Sequence, residues 1–138
     1  MIKLTTLSLA LAIAAPAVAQ PRPRWIAVGT GAGAGEIEID RASLNWRPVQ
    51  RAWWRIAYAP AKPDGTVEER HLELIDCGDG NSAVIETVSF DAAGRMIAEQ
   101  RDGEELARQR LGPPTPGTTG ETIVEQACRL RPPPPRRH

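Results

Sequence analysis

The clearest pattern in the chain is an alternation of apolar and polar side chains between Val49 and Ala59. A period of two predicts a β-strand with one buried face and one face that meets solvent or a partner. The buried face would carry Ala52, Trp54, Ile56 and Tyr58, and the other face would carry Arg51, Trp53 and Arg55.

Five further segments predict strands, because each is alternating or rich in β-branched residues and is bounded by turn signals such as Asp64-Gly65. The first two flank a glycine-rich stretch, and a turn with one 3₁₀ twist is expected at residues 40–45. Strands joined in this way predict an antiparallel meander. The five segments are Trp25–Val28, Glu36–Asp40, Thr66–Cys77, Ala83–Phe90 and Arg95–Arg101.

The glycines between Gly29 and Gly35 are similar to the Gly-x-Gly-x-x-Gly/Ala pattern of dinucleotide-binding loops. That pattern binds phosphate only where it opens a helix, because the ligand is held by the helix N-terminus. Here an alternating strand follows at Glu36. The stretch is therefore expected to be a flexible loop between two strands.

The C-terminal part predicts a loop from Gln100 to Gly117 and then one short helix of about ten residues. Thr118 and Glu121 fit the Thr-x-x-Glu capping box that starts a helix. Such a short helix must dock to be stable. Its apolar stripe would consist of Ile123, Val124, Ala127 and Cys128, and Pro132–Pro135 beyond it would be extended polyproline.

Residues 1–19 have the basic start, apolar run and Ala17-Val18-Ala19 ending of a secretory signal peptide. Export brings the chain into an oxidising compartment, where the isolated pair Cys77 and Cys128 predicts a disulfide. We therefore expect a linker at residues 20–24, one domain at residues 25–130 and a disordered Pro/Arg-rich tail at residues 131–138. The protein would reside in the periplasm, on the cell surface or outside the cell.

Charge is segregated along the chain. Between Trp25 and Cys128 there are 17 acidic and 10 basic residues, whereas both flanking segments are basic. An acidic body repels phosphate backbones, which argues against nucleic acid as a partner. After the signal peptide no apolar stretch reaches the roughly 18 residues of a spanning helix, so no transmembrane segment is expected in the mature chain.

Few residues suggest a catalytic or metal-binding role. Glu69, His71 and Glu73 share one face of a predicted strand and could in principle form an acid/base pair or a metal site, but a solvated strand face has the same composition. No serine lies in a nucleophile elbow, and both cysteines are assigned to the disulfide. We expect no enzyme, no cofactor and no metal. A hydrolase remains open only if His71 is buried in a pocket among carboxylates.

Trp53, between Arg51 and Arg55, is the candidate ligand-binding residue, with Trp46 as a second aromatic of interest. An outward-facing tryptophan flanked by arginines has the composition of a binding hot spot. In the alternative, the arginines stack on the ring and the helix covers that face.

The ordered set of elements resembles the surface-adhesin protein E family of bacterial envelope proteins. The residues that carry the resemblance are Trp25, Ile39-Asp40, Ser43-Leu44, Trp53–Tyr58, Ile75-Asp76-Cys77, Gly94, Pro116-Gly117-Thr118, Glu121 and Cys128. The resemblance implies an α+β fold, a curved antiparallel sheet of about six strands with a C-terminal helix tethered by the disulfide. It also implies binding to extracellular-matrix proteins.

Two functions remain open at this point. The first is an exported, non-catalytic binding module with an extracellular-matrix or envelope protein as its ligand. The second is a periplasmic structural or envelope-maintenance protein without a host ligand, favoured because no cysteine follows the expected cleavage site to carry a lipid. No feature of the sequence predicts an oligomeric state.

Overall fold

Residues 25–31 and 35–137 are described by a computed structural model, in which they form an open antiparallel sheet of six strands with helices on both faces. The strands lie in the sheet in chain order, which confirms the predicted meander and the α+β class. Their bounds are β1 Trp25–Thr30, β2 Glu36–Asp40, β3 Val49–Ala57, β4 Glu68–Asp76, β5 Asn81–Phe90 and β6 Met96–Arg101. A 3₁₀ turn spans Arg41–Ser43, and the helices are α1 Glu104–Gln109 and α2 Thr119–Leu130.

Some predictions fall on residues outside this description. They are the signal peptide at residues 1–19, the linker at residues 20–24, the centre of the glycine loop at residues 32–34, and the last residue of the tail, His138. On either side of the loop, β1 and β2 pair as an antiparallel hairpin, with Thr30 opposite Glu36. The backbone at Gly31 therefore leads into a strand hairpin and not into a helix.

The main core lies between the sheet and α2, on what we call the α2 face. Ala52, Trp54 and Ile56 project there from β3 and are buried, as their alternation predicts. Ile123, Val124 and Ala127 of α2 meet them, and both Ile123 and Ala127 are fully buried. The apolar stripe of the helix and the apolar face of β3 therefore form one core.

The predicted disulfide joins this helix to the sheet. Cys77 directly follows β4, Cys128 lies in the last turn of α2, and their Cα atoms are 5.5 Å apart. Both half-cystines pack against the main core. The bond closes a loop between residues 51 positions apart.

The expectation of a loop from Gln100 to Gly117 is wrong, because Glu104–Gln109 forms α1. This helix packs on the opposite side of the sheet, the α1 face, where Ala107 is fully buried against Leu74 and Ile85. Because Ala107 is the one buried residue of this helix, the sequence of α1 shows no apolar residues recurring at helical spacing. The available signal was the i,i+4 spacing of charged and polar partners, since Glu104 accepts a hydrogen bond from Arg108 at 2.6 Å.

The start of α2 differs in detail from the predicted capping box. Thr118 is the N-cap residue, but its hydroxyl donates to the carbonyl of Thr115 at 2.6 Å and does not accept from the helix. Glu121 does reach back, and its carboxylate accepts from the backbone N–H of Gly117 at 2.7 Å. Of the two hydrogen bonds of the predicted capping box, the one accepted by Glu121 is therefore present, but its donor is the backbone N–H of Gly117 and not that of Thr118.

Neither helix of the described chain is long and apolar enough to cross a membrane. After α2, residues 131–137 are exposed and lie in no helix or strand.

We expect the disulfide to contribute about 4 kcal/mol to the free energy of unfolding, because it closes a long loop in the unfolded chain. The double variant Cys77→Ser/Cys128→Ser should lose about 2–5 kcal/mol, measured by urea denaturation. Dithiothreitol should destabilise the wild type by a similar amount and leave the double variant unchanged. A loss below about 1 kcal/mol would show that non-covalent packing alone holds α2 in place.

Candidate functional site

The three residues predicted to bind a ligand, Arg51, Trp53 and Arg55, all project from β3 onto the α1 face. Trp54, between two of them, projects onto the α2 face and is buried. The helix that the sequence predicts, α2, therefore covers the side of β3 away from Trp53. Of the two helices in the described part of the chain, α1 is the one that covers part of the candidate face, near Arg51.

Arg55 is held by side chains from three other strands, β1, β2 and β4. Its Nε donates to Glu38 Oε2 at 2.5 Å, and a terminal nitrogen lies 3.6 Å from Glu68 Oε2. The guanidinium carbon lies 4.6 Å from the centre of the Trp25 ring, a cation–π distance. Arg55 therefore stacks on Trp25 and not on the neighbouring Trp53.

Arg51 forms an ion pair with Glu104 of α1, and Glu104 also binds Arg108 on the next turn of the helix. Hydrogen bonding to Arg108, with a further contribution from Arg51, holds the pKa of the Glu104 carboxyl below its usual value. The side chain of Arg51 is nevertheless 60% exposed, so it remains accessible to solvent.

Trp53 is half-buried at the side of a shallow groove on the α1 face. The groove has a volume of about 280 Å³ and is lined by Trp25, Asp40, Trp53 and Arg70. The guanidinium of Arg70 is held in place, because Nε donates to Glu68 Oε1 at 2.6 Å and the guanidinium carbon lies 4.4 Å from the centre of the Phe90 ring. Sequence reasoning identified Trp53 but missed Trp25 and Arg70 as its neighbours, although cross-strand alternation places all three on one face.

Trp46 lies away from this groove, in the connection between the 3₁₀ turn and β3. It is 44% exposed, and the Arg47 guanidinium carbon lies 5.9 Å from the centre of its ring. Together with Pro48, its ring faces a surface depression against the prolines that follow α2.

Glu69, His71 and Glu73 share the α2 face, as their spacing in β4 predicts. The His71 ring stacks on Trp54 with centroids 4.0 Å apart, and its side chain is only 13% exposed. Nδ1 lies 3.1 Å from the Thr87 hydroxyl, whereas Nε2 is 3.5 Å from Glu69 Oε2 and makes no hydrogen bond to a described residue. Burial lowers the pKa of His71, although the nearby Glu69 carboxylate opposes this effect.

The two glutamates beside His71 are in different environments. Burial tends to raise the pKa of Glu69, but hydrogen bonds from Lys62 at 2.6 Å and from Tyr58 at 2.8 Å outweigh it, and the pKa is lowered. Burial raises the pKa of Glu73, which is 4% exposed and accepts from Trp54 Nε1 at 2.7 Å. Glu69 thus accepts hydrogen bonds from a lysine and a tyrosine, whereas Glu73 accepts one from a tryptophan.

His71 is therefore buried beside a carboxylate, which is one part of the condition for a hydrolase. One face of its ring is occupied by packing, because it stacks on Trp54. Within residues 25–31 and 35–137, no group of three or more histidine, cysteine or acidic side chains could hold a metal ion. His71 and Glu73 thus contribute packing and hydrogen bonds between neighbouring strands. That the protein has no enzymatic activity stays a prediction.

Comparison with known protein families, with curated proteins and with solved structures finds no match to this chain. The resemblance to the surface-adhesin protein E family therefore stays a prediction.

The buried His71 should make stability depend on pH, with the loss beginning near the ordinary histidine pKa and continuing below it. The unfolded chain takes up a proton near the ordinary histidine pKa of 6.5, whereas the folded chain resists protonation because the ring is buried. Stability should therefore fall as the pH falls through 6.5, and His71→Gln should flatten this slope, measured as the urea midpoint at each pH.

The chain's other histidine, His138, supplies a matched control. His138→Gln should retain the wild-type slope. Glu73 acts in the opposite sense, because its raised pKa favours the folded state as the pH falls toward 4.5, but it is present in all three proteins. An unchanged slope in His71→Gln would contradict the assignment.

Proposed function

We propose that this chain is an exported, non-catalytic binding module that presents the α1 face of its sheet to an extracellular-matrix or envelope protein. The observation that carries the proposal is the groove between Trp25 and Trp53. It brings two indole rings, a carboxylate from Asp40 and a guanidinium from Arg70 to one accessible surface.

This composition suits a protein ligand. Tryptophan and arginine are the residues most enriched in binding hot spots, because they offer a large apolar surface together with hydrogen-bond donors. The Trp25 ring is held by its stacking on Arg55, and the backbone N–H of Trp53 donates to the Ser43 hydroxyl at 2.9 Å, which fixes the strand that carries the second ring. A rigid surface loses less conformational entropy on association.

Two further features support the proposal. The disulfide between Cys77 and Cys128 is compatible with an oxidising compartment. The resemblance to surface-adhesin proteins, carried by the sequence pattern, implies a matrix ligand. Export itself depends on residues 1–19 and is tested by locating the protein in cells.

The second candidate, a periplasmic structural protein without a host ligand, is favoured by a different observation. Arg51 and Arg55 are both paired with carboxylates of the same chain, Arg51 with Glu104 and Arg55 with Glu38. Charges satisfied internally attract a partner less strongly. The two candidates differ in where the protein is exposed and in whether it binds.

Exposure on intact cells separates the two functions. Under the binding-module proposal, protease added to intact cells degrades the protein and antibodies label it, while a periplasmic marker stays protected. Protection until the outer membrane is opened would remove adhesion and leave the periplasmic role.

Trp53→Ala should weaken binding to a panel of immobilised extracellular-matrix proteins at least about tenfold, the effect of removing a hot-spot residue. Because Trp53 is half-buried, the cost in stability should stay well below the roughly 3–5 kcal/mol of a fully buried aromatic. Trp46→Ala, at an exposed tryptophan outside the groove, is the matched control and should bind as the wild type does. Equal binding by Trp53→Ala and the wild type would exclude the groove.

A further inference from the structure

A second depression on the α1 face lies between α1, the start of β3 and the connection that precedes β3. We call it the arginine cleft. It has a volume of about 410 Å³, and its lining includes Asn45, Arg47, Arg51, Glu104 and Arg108. Three separate segments of the chain thus contribute one guanidinium each.

The charge of the cleft is opposite to that of the body. Three arginines face one carboxylate, Glu104, whose two oxygens are divided between Arg51 and Arg108. Some arginines outside the cleft, by contrast, have a carboxylate that no second arginine shares. Arg95 pairs with Asp91 at 2.8 Å, and Arg110 pairs with Asp102 at 2.8 Å.

Arg47 completes the excess of positive charge. Among the residues that the structure describes, it forms no ion pair with a carboxylate, and its nearest aromatic contact is the Trp46 ring at 5.9 Å. The Asn45 side chain is fixed by accepting from the backbone N–H of Arg47 at 2.9 Å, which orders the connection that carries the arginine. The cleft therefore has one unpaired guanidinium and two that share a single acid.

We propose that the arginine cleft binds a phosphomonoester, with the phosphate seated among Arg47, Arg51 and Arg108. A phosphomonoester carries nearly two negative charges and three acceptor oxygens, which matches an excess of two positive charges and three guanidinium groups. The planar fork of arginine pairs with phosphate through two parallel hydrogen bonds. The cleft is open to solvent, so the rest of the ligand extends outward.

Glu104 has a defined part in this arrangement. Its carboxylate occupies donors on Arg51 and Arg108 that a phosphate would use, so it competes with the ligand. Binding requires the Glu104 side chain to turn away, and at 27% exposure it has solvent beside it. The neutral variant Glu104→Gln should therefore bind phosphate more tightly than the wild type.

This inference goes beyond the proposed function and can fail separately from it. The protein-binding groove depends on Trp25 and Trp53, whereas the cleft depends on Arg47 and Arg108. A protein that binds matrix proteins but no phosphate refutes only the cleft, and the reverse result refutes only the groove.

Isothermal titration of the full mature chain with glycerol 3-phosphate tests the proposal, with succinate as a dicarboxylate of similar charge. Arg47→Gln and Arg108→Gln should each weaken binding of glycerol 3-phosphate about tenfold, which is the effect of one lost hydrogen bond to a charged group. Glu104→Gln should strengthen it severalfold. Arg95→Gln, at an exposed and paired arginine on the β5–β6 hairpin, is the control and should bind as the wild type does.

Vesicles of phosphatidylcholine with and without phosphatidic acid distinguish the two sources of a phosphomonoester. Binding of soluble glycerol 3-phosphate supports a small-molecule ligand, and binding only to vesicles with phosphatidic acid, lost in Arg47→Gln, supports a lipid headgroup. The proposal is overturned if neither probe binds the wild type or Glu104→Gln, if succinate binds as tightly as glycerol 3-phosphate, or if both arginine variants bind unchanged. Circular dichroism of each variant verifies that it is folded.

Discussion

The pleat of β3 is the constraint on which the rest of the structure depends. Successive side chains of a strand alternate between the two faces of a sheet, so burying Trp54 and Ile56 places Trp53 and Arg55 on the other side. The main core and the candidate binding surface are therefore two consequences of one strand. A shift of its register by a single residue would exchange them, which is why both neighbouring strands pair with β3 in a fixed alignment.

Much of the fold could be predicted because its signals are local. The alternation in β3, the turn residues at Asp64-Gly65 and the apolar stripe of α2 each lie within about a dozen residues. The disulfide was predictable because only two cysteines are present. Helix α1 was not, since its single fully buried side chain, Ala107, packs against Leu74 and Ile85, and those contacts exist only after the strands have paired.

The candidate site was only partly predictable for the same reason. The pattern places Arg51, Trp53 and Arg55 on one face, but it does not identify their partners, Glu38, Glu68 and Glu104, which come from three other elements. Which carboxylate meets which arginine depends on strand register and on the position of α1. The clearest role that the sequence did not predict is that of Trp25, whose ring stacks on Arg55 and not on Trp53.

The position of the disulfide determines how the domain responds to mechanical load. Cys128 lies two residues before the end of α2, and its partner Cys77 immediately follows β4, a strand in the interior of the sheet. The shortest covalent path from the prolines after α2 to the sheet runs through Leu130 and Arg129 to the sulfur–sulfur bond and then into β4, and it bypasses the rest of the helix. A force transmitted along this path enters the sheet at β4, which is hydrogen-bonded to β3 on one side and to β5 on the other. The hydrogen bonds on both sides of β4 resist such a force together.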